Sequence, residues 1–136
     1  MDFLKSIAIA ASGLRAQAGR MRIISENIAN ADSTALNATG EPYRRKIPTF
    51  TSEIDRALEA RTVALGRVRP DQSEFRLKHE PGHPAADVNG NVKYPNVNSL
   101  VEMTDLREAQ RSYEANINVI TASRRMIQRT IEILKS

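Results

Sequence analysis

The residues best suited to chemistry lie together in one polar stretch of the chain. His79 and His83 are four positions apart and are accompanied by Glu80 and Asp87, which are the residue types of a metal site. Two histidines at this spacing share a face only in a helix, and the prolines and glycine within residues 79–84 exclude a helix there. Cysteine is absent, and no Gly-x-Ser-x-Gly nucleophile motif is found. We therefore predict no metal, no cofactor and no catalytic residue, and a protein that is not an enzyme.

A second candidate is the run of cations that follows a tyrosine in residues 43–46. One interpretation is contact with a phosphate. The other is a solvated loop or strand flank, which we favour because no aromatic or glycine-rich cradle accompanies the cations. The net charge of +4 is spread along the chain and forms no basic patch. We therefore expect no nucleic acid as a partner. Because no catalytic site is found in the sequence, we also expect no small-molecule substrate.

The longest predicted element is a helix over residues 99–134, which contain no proline or glycine. A capping box of Ser99 and Glu102 is expected to open it. At 1.5 Å per residue the helix would be about 54 Å long. Its main apolar row has a seven-residue repeat. The row consists of Leu106, Tyr113, Ile120, Ile127 and Leu134.

A second helix is predicted at the other end of the chain, from about Phe3 to Ala29. Its apolar residues alternate at spacings of three and four, which is typical of a coiled-coil seam and requires a partner stripe. The only comparable stripe is in the C-terminal helix, so we expect the two helices to pair as an antiparallel hairpin. The predicted seam is Leu4, Ile7, Ala11, Leu14, Ala18, Met21, Ser25 and Ile28.

Both helices carry apolar residues beyond those that one partner can cover. A helix that is apolar on several sides is buried on several sides. In a chain of 136 residues with 4% aromatic content, we expect other chains to provide that cover. The residues expected to remain uncovered are Val119, Met126, Ile133, Ile117 and Ile131 in the C-terminal helix, with Ile9, Ala16 and Ile23 in the first.

Three residues in the helices invite a specific interpretation. Gly13 is either a tolerated helix defect or a point of close approach to a neighbouring helix backbone. Asn30 could end the first helix in the left-handed conformation. Asn116 lies in a row of small residues with Ala109 and Ser123, where a polar side chain can fix the register of helix pairing.

The middle of the chain is predicted to form a small β insert. Residues 51–61 are compatible with an extended segment or a short helix, and we favour the helix. Residues 62–69 and 75–78 are expected to form two strands joined around Pro70, and the Asn-Gly pair in residues 87–92 to form a tight hairpin with Val88 and Val92 near its base. The fold class is mainly α with a small β insert, and the divisions are 1–30, 31–98 and 99–136, with both ends in one helical domain.

The chain resembles the flagellar basal-body rod and hook family at both ends and in its middle. The stretch ASGLRAQAGRMRIISENIANADST is similar to the family's N-terminal signature, and SYEANINVITASRRMIQRTIEIL to its C-terminal helix. PYRRK, EPGHPAAD and YPNVN resemble the insert of a proximal-rod member. The residues that match the family motif are Ser12, Gly13, Leu14, Asn27, Asn30, Tyr113, Ala115 and Asn116.

The resemblance implies a structural subunit of the periplasmic proximal rod, which polymerises through its terminal helices into a helical tube that transmits motor torque. Its implied partners are copies of itself, sister rod proteins, and components of the basal body and export apparatus. It implies export by the flagellar type III apparatus without a cleaved signal peptide, and Lys5 and Ser6 do interrupt the first apolar run. No membrane span is expected. The alternative is a cytoplasmic coiled-coil adaptor.

From the repeats and this resemblance we predict a set of residues at the helix and subunit interfaces. These are Ile7, Leu14, Met21, Ile28, Leu106, Tyr113, Asn116, Ile120, Met126, Ile127, Ile131 and Leu134.

Overall fold

The protein consists of two long terminal helices with short strands between them. The computed structural model describes residues 2–136. Helix α1 covers Phe3–Ala29 and helix α2 covers Ser99–Lys135, so both predicted helices are confirmed. The two helices pack together, which confirms the mainly α fold with a small β insert. The strands between them are β1 (Lys46–Ile47), β2 (Phe50–Asp55), β3 (Ala60–Leu65), β4 (Arg69–Pro70), β5 (Arg76–His79) and β6 (Asn91–Tyr94).

Strands β2 and β3 form an antiparallel hairpin, with Phe50 opposite Leu65. The helix predicted over residues 51–61 is therefore wrong. The Asp55 carboxylate accepts hydrogen bonds from the backbone N–H groups of Ala57 (3.0 Å) and Leu58 (3.3 Å) and so stabilises the turn. Glu59 follows with a φ of 50°, in the left-handed region, where the chain direction reverses.

Strands lie at about the two places predicted around Pro70, since β3 overlaps residues 62–69 and β5 overlaps residues 75–78. They do not pair with each other: β3 pairs with β2, β5 with β6, and β4 with β1. The Asn-Gly pair does form a turn, in which the Gly90 N–H donates to the Asp87 carbonyl at 3.0 Å and Gly90 has a φ of 80°. Val88 is fully exposed, however, whereas Val92 is 0% exposed. The two valines therefore do not form the base of a tight hairpin.

The chain divides into two compact units. The first unit contains residues 2–21, Thr49–Arg67 and Arg107–Ser136. The second unit contains Arg22–Pro48 and Val68–Leu106. Each unit therefore includes a segment of both terminal helices.

The two units differ in the size of the side chains that they bury. The second unit buries branched residues, including Val92, Val97 and Ile24, each at most 2% exposed. Every fully buried residue of the first unit is small: these are Ala10, Ser12, Gly13, Ala16, Ala109 and Ser123. Since hydrophobic stabilisation scales with buried apolar area, the first unit gains less from its own core.

The helix ends are stabilised by residues other than those predicted. The Asn98 side chain caps α2, because its oxygen accepts a hydrogen bond from the Leu100 N–H at 3.1 Å. The predicted capping box is wrong, since Glu102 points into the protein and is 1% exposed. Asn30 lacks the predicted left-handed conformation. Its side chain instead donates to the Glu26 carbonyl at 2.9 Å.

Candidate functional site

Two contacts fix the antiparallel register of the helices in the first unit. Gly13 of α1 lies against Asn116 of α2 so closely that a Cβ at Gly13 would be 2.7 Å from Asn116 Nδ2. Seven residues further along α1, Arg20 approaches Glu108 at 3.6 Å. Gly13 is therefore a point of close approach, and the group that it meets is the Asn116 side chain.

The α1 row that contacts α2 is displaced by one residue from the predicted seam. Gly13 and Arg20 belong to this contact row, whereas the predicted seam positions Leu4, Ala18 and Ser25 are exposed. The prediction is wrong at those three positions because the interface uses small and polar residues, which an apolar pattern cannot detect. The interface candidates Ile7, Leu14, Met21 and Ile28 are half-buried beside the contact row.

On α2 the predicted main row follows the partly buried face of the helix. Ala109 and Ser123 are buried, and Asn116 between them is half-buried. Leu134, at the end of the row, is 80% exposed. The other members of the main row are half-buried: Leu106, Tyr113, Ile120 and Ile127.

A polar network joins the helices to the β region within the second unit. Asn27, which is 0% exposed, donates from Nδ2 to the Lys46 carbonyl at 2.8 Å. Its Oδ1 accepts from the Lys46 N–H at 3.0 Å and the Tyr43 hydroxyl at 2.7 Å. Glu102 approaches Asn27 Nδ2 at 3.5 Å and accepts a hydrogen bond from Arg45 Nε. Asn27 therefore links α1, α2 and β1.

Arg45 is the centre of charge in this network. Besides Glu102, it contacts Asp71 at 3.2 Å and Asp105 at 3.9 Å. Burial lowers the pKa of Arg45, but hydrogen bonding and charge from Glu102 and Asp71 outweigh burial and raise it. A backbone hydrogen bond from Ser73, with Arg45 also contributing, lowers the pKa of Asp71.

Burial, with the charges of Glu26 and Glu102, raises the pKa of Tyr43 to about 12. The Tyr43 hydroxyl is therefore protonated at neutral pH and able to donate to Asn27. The expectation that residues 43–46 form a solvated flank is wrong, because three of these residues belong to the network. The sequence pattern does not predict the ion pairs of Arg45 with Asp71 and Glu102, because no local signal links positions so far apart in the chain.

A second candidate surface is formed by some of the apolar side chains that are exposed on α2. Met126 and Ile131 are each 48% exposed, and Ile133 is 72% exposed. Ile117 and Val119 are 40% and 45% exposed. We call these five residues the α2 apolar surface.

On α1, only one of the three residues expected to remain uncovered is exposed. Ile9 is 42% exposed, but Ala16 and Ile23 are 2% and 4% exposed. The expectation for Ala16 and Ile23 is therefore wrong. Neighbouring contacts show how this side of α1 meets the β region: Ser12 Oγ accepts from the Val63 N–H at 3.2 Å, and Gly19 lies against Leu65.

The family-motif residues occupy both helices. Ser12, Gly13 and Asn27 are buried, and their contacts are described above. Asn30 is partly buried near the end of α1, and Ala115 is exposed on α2 beside Asn116. The motif therefore includes residues that hold the fold together as well as one that faces outward.

Comparison with known proteins identifies the family of this chain. A family model for flagella basal body rod protein matches residues 7–35, and one for the C-terminal part of the flagellar basal body rod FlgEFG proteins matches residues 88–133. The chain is 50% identical to the flagellar basal-body rod protein FlgC of Agrobacterium fabrum, over 100% of this chain and 99% of the relative. This chain belongs to the FlgC family of flagellar basal-body rod proteins.

More distant FlgC proteins also align along the whole chain. Identity to FlgC of Salmonella typhimurium is 38%, with 98% of each chain covered. Identity to FlgC of Bacillus subtilis is 36%, with 99% of this chain and 100% of the relative covered. The FlgC family is a structural, non-enzymatic rod family, so the chain is a proximal-rod protein and the adaptor alternative is wrong. Within the described residues, no helix is long and apolar enough to cross a membrane.

Proposed function

We propose that this FlgC-family chain polymerises through its terminal helices into the proximal rod, a helical tube that transmits motor torque. Copies of the same chain and sister rod proteins cover the α2 apolar surface. The proposal depends chiefly on one observation: the last turns of α2, residues 128–135, are exposed throughout although they include Ile131, Ile133 and Leu134. Apolar residues concentrated on an uncovered helix end are typical of a surface that another protein covers.

The small core of the first unit supports the same proposal. Its buried residues are alanine, serine and glycine, so the helix pair there has little stabilisation of its own, and contacts with neighbouring subunits would add apolar burial. In the second unit, the polar network around Asn27 and Arg45 provides stabilisation within one chain. The first unit therefore gains most from assembly, while the second unit holds the helices to the insert.

We also propose export through the flagellar type III apparatus, with basal-body and export-apparatus components as further partners, and retention of α1 in the periplasmic rod. Retention of α1 is supported by the contacts of Gly13 with Asn116 and of Asn27 with Glu102, which removal of a leader covering α1 would eliminate. Mass spectrometry of the chain from purified basal bodies tests retention. Peptides from α1 are expected, and a mature chain that begins after Ala29 would contradict it.

A charge substitution in the α2 apolar surface tests polymerisation. Ile131→Glu is expected to reduce the amount of the chain in purified basal bodies at least tenfold and to abolish swimming, because it places a charge where apolar contact is required. Asn118→Glu introduces the same charge at an exposed position of α2 that lies outside residues 128–135 and outside the α2 apolar surface, and it is the matched control. Equal incorporation of the two variants would contradict the proposal.

A further inference from the structure

A groove lies between α1 and the end of the β2–β3 hairpin in the first unit. Its volume is about 420 Å³. The small side chains of Ala8 and Ala11 line its helical side, and Ile54, which is 67% exposed, lines its hairpin side. Arg15 supplies a positive charge at the groove, and Glu53 and Asp55 supply two negative charges. Within residues 2–136 none of these three residues forms an ion pair.

The C-terminal turns of α2 have the size and chemistry to enter such a groove. Ile131 and Leu134 are three residues apart and therefore share a face, and they are 48% and 80% exposed. Glu132 gives the segment one negative charge, and Arg129 and Lys135 give it two positive charges. The groove has one positive and two negative charges, so the segment complements the groove in charge.

The segment that fills the groove must come from another chain. In the first unit, the contacts of Gly13 with Asn116 and of Arg20 with Glu108 set an antiparallel register. In this register Ile127 lies near the start of α1. The helix continues without a break to Lys135, so residues 128–135 extend past the start of α1 and away from Ala11.

We propose that the groove binds residues 128–135 of α2 from a second copy of the chain. Ile131 and Leu134 contact Ala8, Ala11 and Ile54, while Lys135 pairs with Glu53 and Glu132 pairs with Arg15. This inference rests on the proposed rod function and identifies one of its contacts. Because the groove and the segment are different surfaces, the contact is head-to-tail, and such contacts build open helical assemblies when they do not close into a ring.

Disulfide crosslinking tests the contact in assembled rods, since the natural chain has no cysteine. One tagged copy carries Ala11→Cys, and a second copy with a different tag carries Leu134→Cys. Both are expressed in the same cells, and purified basal bodies are oxidised. A dimer containing both tags is expected, because a disulfide requires Cα atoms within about 7 Å. In the matched control the first copy carries Ala38→Cys in place of Ala11→Cys. Ala38 is an exposed alanine in the second unit, and this pair should give at least tenfold less dimer.

A charge exchange provides a second readout. Lys135→Glu in the copy with Leu134→Cys should reduce the crosslinked dimer several-fold, and Glu53→Lys in the other copy should restore it. If the two cysteine variants enter the rod and support swimming but form no dimer, the proposed binding of residues 128–135 in the groove is overturned, while the proposed rod function is not. A crosslink from Leu134→Cys to a sister rod protein would also overturn it. Absence of the tagged wild-type chain from basal bodies would instead contradict the proposed rod function.

Discussion

Removing the charge of Glu102 should destabilise the second unit more than any comparable surface change. Glu102 is 1% exposed and accepts a hydrogen bond from Arg45. Breaking a buried ion pair by removing one partner costs about 3–5 kcal/mol. Arg45 would retain Asp71 at 3.2 Å and Asp105 at 3.9 Å, and a glutamine oxygen still accepts a hydrogen bond. We therefore expect Glu102→Gln to cost about 2–3 kcal/mol.

The matched control is Asp32→Asn, which removes a carboxylate that pairs with an arginine in the same unit. Asp32 lies 3.7 Å from Arg76, and its side chain is 87% exposed. Exposed ion pairs contribute about 0–1 kcal/mol. Both substitutions convert a carboxylate to an amide within the second unit, so their difference isolates the effect of burial.

Hydrogen exchange of the β6 amides measures the effect without assuming that the whole chain unfolds in one step. Val92 in this strand is 0% exposed, so its amide reports opening of the second unit. A loss of about 2–3 kcal/mol accelerates exchange by about 30- to 150-fold, whereas Asp32→Asn should change the exchange rate by less than about 5-fold. Equal acceleration in the two variants would refute the reasoning that burial makes the Glu102 contact strong.

Four further predictions follow from the helix contacts and the charged network. Gly13→Ala should destabilise helix pairing by about 1–2 kcal/mol in thermal melts of assembled rods, because the cost of overpacking against Asn116 exceeds the gain in helix propensity. In an Asn116→Ala background, where this side chain is shortened, Gly13→Ala should stabilise helix pairing. Asn116→Leu should retain helicity by circular dichroism but impair assembly, and normal rod length and motility would contradict its role in register. The pKa of Asp71 in the folded protein is lowered from 3.8, so the stabilisation from its carboxylate is present above that pH and is lost as the pH falls through the folded-state pKa. The free energy of opening at β6, obtained from exchange rates corrected for the pH dependence of intrinsic amide exchange, should therefore fall at pH 3, and it should fall less in Asp71→Asn. The free subunit should show much less helix than the 27 and 37 residues of α1 and α2, and full helicity in the monomer would contradict coupled folding and assembly.

The sequence predicts the helices well because their signals are local and repeated. The absence of proline and glycine and the seven-residue repeat place α2 to within one residue of its observed end at Lys135. For residues 51–61 the sequence predicts a helix, because Ile54 and Leu58 have helical spacing. The β2–β3 hairpin forms instead because of the turn at Asp55 and the pairing of β2 with β3, and such pairing is weakly encoded in a short segment.

The site was only partly predictable for a related reason. The exposed residues of α2 can be predicted by counting apolar rows, since Met126 and Ile131 lie outside the main row. The contact row of α1 cannot be predicted in this way. Gly13 contacts α2 because it is small, and Asn27 because it forms hydrogen bonds, so neither is marked by apolar area. The ion pair of Arg45 with Glu102 depends on the tertiary fold, and neither residue carries a local signal for it.

Photocrosslinking in intact basal bodies tests most directly whether other subunits cover the α2 apolar surface. A photoreactive residue at Ile133, which is 72% exposed, is compared with one at Ala109, which is 0% exposed and buried within its own chain. The account predicts efficient crosslinks from position 133 to rod subunits and few intermolecular crosslinks from position 109. Assembled, motile rods without intermolecular crosslinks from position 133 would contradict it.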